Sequence, residues 1–267
     1  MIKCYRIGRS YFEEEVLKNI TFTIRKGERV SILGPGGSGK SVILKIIVGL
    51  EKPDTGFSKL MKIDLTETSF KNKKDVLCGL GMAFQQGGLF DFMTVKENLM
   101  FVMDNMTKFS DAVKNKKVTE ILSAVKLAKT ENLYPHEMSG GMRRRVGIAR
   151  ALCINPKVAI FDEPTAGLDP VTSSIILNRI LQLSEDDKES SMVVATSNVE
   201  VAIRFSSRII LLKDTRVIAD GPWKDLLLDG SNWIRNFLET RLIGLSTDYI
   251  KFLDLPPSFV KKHWGSN

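Results

Sequence analysis

Arg29-Val30-Ser31-Ile32-Leu33-Gly34-Pro35-Gly36-Gly37-Ser38-Gly39-Lys40-Ser41 joins a short apolar run, a glycine-rich loop and the opening of an apolar helix. Glycine lets the loop turn tightly and leaves its N–H groups bare. Gly34, Gly39, Lys40 and Ser41 complete the spacing G-x-x-x-x-G-K-[S/T]. In that pattern the amides from Gly36 to Lys40 surround phosphate oxygens at a helix N-terminus. Lys40 then balances β- and γ-phosphate charge, and the Ser41 hydroxyl ligates Mg²⁺. A strand before the loop (Arg29 to Leu33) and a helix after it (Ser41 to Leu50) are the context this chemistry requires.

Outward from the loop, alternation in Ile20-Thr21-Phe22-Thr23-Ile24 predicts a strand, with Lys26-Gly27-Glu28 as its turn. Pro53-Asp54-Thr55-Gly56 is a turn signal, and Met82-Ala83-Phe84 reads as a strand. From about Thr94 to Tyr134 the apolar spacing becomes helical, through Val113, Val118, Ile121, Leu122, Val125 and Leu127. The runs Val158 to Phe161, Met192 to Thr196 and Arg208 to Leu212 are separated by helical stretches. Such continuous apolar strands predict a parallel sheet covered on both faces. A helical segment therefore interrupts an α/β core, and the stretch from about Arg241 to Asn267 is a tail.

The 267 residues, 43% hydrophobic and 26% charged, suffice for a sizeable core. The N-terminus lacks the apolar run of a signal peptide, and Val42 to Leu50 is far too short to span a bilayer. The chain is expected to be soluble by itself. Cys4, Cys78 and Cys153 are isolated, which fits a reducing cytosol. The net charge of +8 collects at Lys71 to Lys74, Lys114 to Lys117 and Arg143-Arg144-Arg145. These clusters read first as solvated faces and second as attraction to an anionic membrane leaflet. No nucleic-acid motif accompanies them and no aromatics interleave, so no nucleic-acid partner is expected.

Two further segments narrow the chemistry. Ile160-Phe161-Asp162-Glu163-Pro164 puts two carboxylates at a strand end. Asp162 suits the Mg²⁺ shell, and Glu163 can polarise an attacking water. Met138-Ser139-Gly140-Gly141-Met142 offers a capping hydroxyl and bare backbone at another helix N-terminus, a second anion site.

With these motifs in this order, the chain resembles the ATPases of ABC transporters over roughly Ile2 to Leu228. The resemblance implies a P-loop NTPase core with a parallel sheet, a small antiparallel β subdomain and an inserted helical subdomain at about 94–153. It divides the chain into an ATPase domain at 1–240 and a C-terminal tail at 241–267, a candidate dimer contact. It implies ATP and Mg²⁺ as cofactors and a homodimer packed head to tail. Each ATP then lies between Gly34, Pro35, Gly36, Gly37, Ser38, Gly39, Lys40, Ser41 and Val42 of one subunit and Ser139, Gly140 and Gly141 of the other. Tyr11 matches the aromatic that stacks on adenine, although a core tyrosine is the alternative. Gln85, with Gln86 as runner-up, matches the glutamine that senses Mg²⁺ and the attacking water. Gly167-Leu168-Asp169 matches the loop joining the two sites.

Phe84-Gln85-Gln86-Gly87-Gly88-Leu89-Phe90, Met142 after Ser-Gly-Gly, and Ile234-Arg235-Asn236-Phe237-Leu238 are similar to the ATPases of Mla-type phospholipid transporters. That resemblance implies an integral membrane permease, an MCE-type lipid-binding partner and a place at the cytoplasmic face of the inner (plasma) membrane. Leu89-Phe90-Asp91-Phe92-Met93 then either forms part of the permease groove or packs as core between subdomains.

One departure stands out. The family carries a switch histidine after the strand that follows the acidic one, and here an ungapped register puts Ser197 there, beside Asn198. His136, in a loop, and His263, in the tail, cannot substitute. Serine is shorter and carries no positive charge, so hydrolysis through Glu163 is expected to be slower or more partner-dependent. The alternatives are an ABC ATPase for another cargo and a weakly hydrolysing nucleotide-switch scaffold. A soluble ABC protein of translation or repair is disfavoured, since the chain has one cassette and no long coiled-coil insertion.

Overall fold

The computed structural model describes residues 1–67, 70–243, 255 and 257–264. The chain opens with β1 (Ile2–Tyr11) and β2 (Glu14–Ile24), followed by β3 (Arg29–Leu33) and α1 (Lys40–Ile47). Next come β4 (Thr55–Leu60), α2 (Phe70–Cys78), β5 (Leu80–Ala83), α3 (Val95–Met106), α4 (Asp111–Ala124) and α5 (Gly140–Leu152). The core resumes with β6 (Val158–Asp162), α6 (Pro170–Asp186), β7 (Ser191–Thr196), α7 (Val199–Phe205) and β8 (Arg208–Lys213). Then follow β9 (Arg216–Pro222), α8 (Trp223–Asp229), α9 (Asn232–Ile243) and a last described helix, Pro257–Trp264.

Six strands form one sheet in the order β5-β6-β7-β3-β8-β9, parallel except for β9, which pairs antiparallel with β8. A second, antiparallel sheet has the order β2-β1-β4. The apolar strands of the larger sheet feed a different core from each face. Ile160 and Val193 join the cluster shared with α1 and the small sheet, whereas Phe161 and Val194 join the cluster under α3, α4 and α5. Successive side chains alternate across a strand, so a run without polar residues serves both layers. The helical layer thus shares one core with the sheet. Buried Ser31 does not break the pattern, because its hydroxyl donates to the Ala202 carbonyl at 2.9 Å.

Boundaries differ from the sequence reading in understandable ways. The helix after the phosphate loop ends at Ile47 rather than Leu50. Gly49 sits at φ 73°, and a Cβ there would meet Leu65 Cβ at 2.4 Å, so the chain must turn away. The long helical stretch divides in two, because Thr107 is extended and Ser110 restarts the chain as an N-cap. Thr94 opens the first half with a capping box to Glu97. In the tail, Leu255 and Phe259 are buried against Leu238 and Leu242 of α9. Tyr249, Phe252 and the Trp264 side chain lie outside the described residues.

The three adjacent arginines are not a solvated face. Each guanidinium caps backbone carbonyls of a different neighbour: Arg143 that of Met138 (3.2 Å), Arg144 that of Gln85 (2.8 Å) and Arg145 those of Val125 and Lys126 (3.0 and 2.8 Å). Deeper in α5, Arg150 is buried and donates to the Gly87 and Gly88 carbonyls at 3.2 and 2.7 Å. Burial lowers its pKa. Between these pins α5 touches the loop after β5 that carries Gln85 to Gly88 (the glutamine loop) backbone to backbone, since a Cβ on Gly147 would meet Gly87 Cα at 2.8 Å and its carbonyl oxygen at 2.7 Å.

Helix propensity alone favours alanine over glycine by about 1 kcal/mol. The contact with rigid backbone should reverse that sign: Gly147→Ala is expected to lower stability by about 1–3 kcal/mol. Urea unfolding of the variant measures it, and an unchanged or raised midpoint would refute the close contact.

Candidate active site

The site is built where the parallel strands end. Leu33 pairs with Thr196 and Asp162 with Ala195, and the ladder runs one residue further through Gly34 N–H to the Thr196 carbonyl (3.3 Å) and Glu163 N–H to the Ala195 carbonyl (2.9 Å). The phosphate loop, the acidic pair and Ser197 are thereby delivered to one edge. This is where ligands bind in α/β sheets.

Gly39 lies at φ 89°, and a Cβ there would meet Leu17 Cδ2 at 2.6 Å, so the loop needs glycine at this turn. At Gly36 and Gly37 a Cβ would meet nothing within 4 Å, so the loop borders open space there. Lys40 is buried and its ammonium donates to the Gly34 and Pro35 carbonyls at 2.9 and 2.8 Å. It also lies 3.8 Å from Glu163 Oε1. Burial lowers the Lys40 pKa, and the charges of Glu163 and Asp162 oppose that shift.

Two buried polar atoms of this cradle have no protein partner: Ser38 Oγ and Asp162 Oδ1. Burial raises the Asp162 pKa, and a hydrogen bond from the Ser41 hydroxyl works against it. The residues fit a Mg²⁺–nucleotide. Loop amides and Lys40 would hold phosphate oxygens, while Ser41 and Asp162 would stand in the metal shell. Among the described residues no three His, Cys, Asp or Glu side chains cluster as a metal cage. Few protein ligands plus substrate phosphates is the usual arrangement for Mg²⁺.

Glu163 has φ 46°, a left-handed conformation uncommon for glutamate. Its carboxylate is held from several sides. Oε1 accepts the Ser197 N–H at 2.8 Å, and Oε2 accepts the Thr196 hydroxyl at 3.1 Å. Thr196 in turn accepts the Asn198 N–H at 3.1 Å, and Asn198 caps α7 through Val201 N–H at 3.3 Å. Thr196 escapes a sequence reading because its partner lies 33 residues away; the signal would be a polar residue closing an otherwise apolar strand. Ser197 therefore borders Glu163 through its backbone, and its side chain is the only part that replacement of a histidine would change.

The remaining candidates lie around this edge. The Ser139 Oγ accepts the Met142 N–H at 3.2 Å, and Ser139 and Gly140 are exposed. Gly141 approaches Leu168 and Gly167 approaches Arg144, so the loop after Glu163 packs on the start of α5. Asp169 accepts the Thr172 N–H at 2.9 Å, and the hydrogen bonds from Thr172 hold its pKa low. Gln85 and Gln86 are both exposed. Val42, on α1, packs against the core shared with the small sheet. Tyr11 donates its hydroxyl to Glu51, and the Arg9 guanidinium lies 4.8 Å over its ring. The next residue, Phe12, is fully exposed at φ 54°, a loop aromatic beside Tyr11 that no sequence motif singles out.

A glycine-rich cradle between a central parallel strand and its helix, facing an Asp-Glu pair, defines a phosphate-loop nucleotide hydrolase. Residues 17–166 match the ABC transporter family. The chain is 36% identical over 240 residues to the arginine transport ATP-binding protein ArtM of Bacillus subtilis (strain 168), covering 90% of this chain and 99% of ArtM. It is 34% identical over 268 residues to the Arabidopsis thaliana protein TRIGALACTOSYLDIACYLGLYCEROL 3, chloroplastic, covering 91% and 75%. Among solved structures it resembles the dimeric post-hydrolysis state of the ATP-binding cassette MJ0796 bound to ADP and Pi. That match has TM-score 0.76 and 35% identity, and covers 83% of this chain and 98% of the other. The chain belongs to the ABC transporter family, as its ATP-binding cassette. It binds ATP with Mg²⁺ and hydrolyses it in a cycle coupled to transport.

A donor to developing transition-state charge is worth about 10²–10³ in rate. Ser197→His should therefore raise turnover of the assembled complex, by up to about 10²-fold, while Glu163→Gln abolishes it and retains ATP binding. Steady-state phosphate release measures both; an unchanged or lower rate in the histidine variant would show that Ser197 does not limit hydrolysis.

Proposed function

We propose that this chain powers a phospholipid transporter, as a head-to-tail homodimer at the cytoplasmic face of the inner (plasma) membrane, attached through a permease. No helix among the described residues is long and apolar enough to cross a membrane. In this reading residues 1–240 are the working cassette and 241–267 add a contact between subunits. Each ATP is bound by Gly34 to Val42 of one subunit and by Ser139 to Gly141 of the other. Asp162, Ser41 and Gln85 attend Mg²⁺, Glu163 polarises the water and Tyr11 supports adenine.

The observation that carries the permease reading is an exposed aromatic cluster just after the glutamine loop. Phe90, Phe92 and Phe101 are 36%, 75% and 42% exposed, and Phe90 lies 5.8 Å from Phe92 and 5.1 Å from Phe101. Leu89 turns the other way, into the core under the helical layer. A groove of about 520 Å³ runs alongside, between Gln85 to Asp91 and Gly140 to Arg144. An exposed patch of large aromatics marks an interaction surface.

Phospholipid as cargo rests on the Phe-Gln-Gln-Gly-x-Leu-Phe stretch and Met142, which also suggest an MCE-type partner. The Arabidopsis relative is named for a glycerolipid and supports that reading, whereas ArtM is named for arginine transport. Ser197 favours a second reading, a nucleotide switch that hydrolyses slowly.

Reconstitution with a permease and an MCE-type protein in proteoliposomes tests the proposal, read as ATP-dependent phospholipid transfer. Transfer of another solute but no phospholipid would overturn the cargo. Phe92→Asp should leave basal hydrolysis within about twofold and weaken permease binding by at least about tenfold, as loss of an aromatic hot spot does.

A further inference from the structure

At the opposite edge of the large sheet, before β6 and β7 begin, lies a cavity of about 690 Å³ rimmed by Lys3, Lys26, Lys59, Lys62 and Lys157. Met1 and Met61 supply its apolar wall. A volume of this size suits a small-molecule ligand. Two carboxylates, Asp187 and Glu189, share the rim. Glu189 is engaged by Lys26 at 2.7 Å, and Asp187 accepts the Ser190 hydroxyl at 3.0 Å. Lys3, Lys59, Lys62 and Lys157 have no ion-pair partner among the described residues.

Two features show positive charge gathered here against local cost. Lys3 and Lys59 are register partners across β1 and β4. Their ammoniums lie over the same Phe57 ring, 5.8 and 5.2 Å from its centroid. Like charges directly opposite on a sheet destabilise it. Next to them, Met61 and Lys62 both have positive φ, 50° and 73°, in the two-residue turn closed by Leu60 and Ile63. Such turns favour asparagine and glycine. Here they carry a flexible apolar side chain and a cation, both lining the cavity. Strain of this kind collects at binding sites.

From this geometry we infer a second ligand site, for an amphiphile with an anionic head and a single acyl chain. The lysines take the phosphate or carboxylate head through charge-assisted hydrogen bonds. The methionines, flexible and polarisable, take the chain. The phosphate loop and Asp162 stand at the far ends of the strands, so a five-residue strand, about 16 Å, separates this site from ATP. Binding is therefore expected to be independent of nucleotide.

Calorimetric titration of the whole chain with oleoyl lysophosphatidate, below its micelle concentration, tests the inference. Lysophosphatidate should bind with and without MgATP, and glycerol 3-phosphate and monooleoylglycerol at least tenfold more weakly, since head and chain act together. The double variant Lys3→Gln/Lys59→Gln should bind at least about tenfold more weakly. It should melt about 1–3 °C higher, because it removes the like-charge pair, and keep its ATPase rate. Lys116→Gln, on α4, controls for general attraction to lysine. Equal binding of glycerol 3-phosphate or monooleoylglycerol, unchanged affinity in the double variant, or an equal loss in Lys116→Gln would each overturn the inference.

Discussion

The parallel pairing of β7 with β6 on one side and β3 on the other is the constraint on which the molecule depends. It sets Leu33 against Thr196 and Asp162 against Ala195, so that three loops begin at one edge. Side-chain direction in a strand has a period of two. A slip of one residue would turn Phe161 and Val194 out of the helical-layer core and carry Glu163 away from Ser197. The same apolar alternation that holds two cores apart therefore positions the acidic pair against the phosphate loop. Stability and chemistry are fixed by one register.

Much of this was legible because it is local. The phosphate loop, the capped helix at Ser139 and the acid pair are runs of contiguous residues whose spacing carries its own geometry. The three buried parallel strands are legible too, since short apolar runs separated by helical stretches fit a sheet covered on both faces. What was missed depends on distant partners. β1 alternates only as far as Tyr5, then shifts register with both neighbours between Cys4 and Gly8, so its pattern does not read as a strand. The arginines at 143, 144 and 145 look like surface charge until the carbonyls they cap are brought to them. Glu163 is held by residues more than thirty positions away, and no spacing rule reveals that.

Those arginines and the Gly147–Gly87 approach join two segments with different tasks. The start of α5 is an exposed helix N-terminus, and the glutamine loop borders the aromatic cluster. Close-packed backbone transmits displacement rather than absorbing it. Under the proposed function, this rigid contact would be a physical route between the nucleotide and permease surfaces.

Asn98 gives the aromatic surface a further property. It is fully buried, and its side-chain amide donates to the Phe90, Met93 and Thr94 carbonyls while its oxygen accepts the Phe90 N–H. One side chain thus satisfies four backbone groups of the segment that presents Phe90 and Phe92. The segment is ordered when the cassette folds, not when a partner arrives. Association then forfeits little conformational freedom, and even a small contact area can hold a partner tightly.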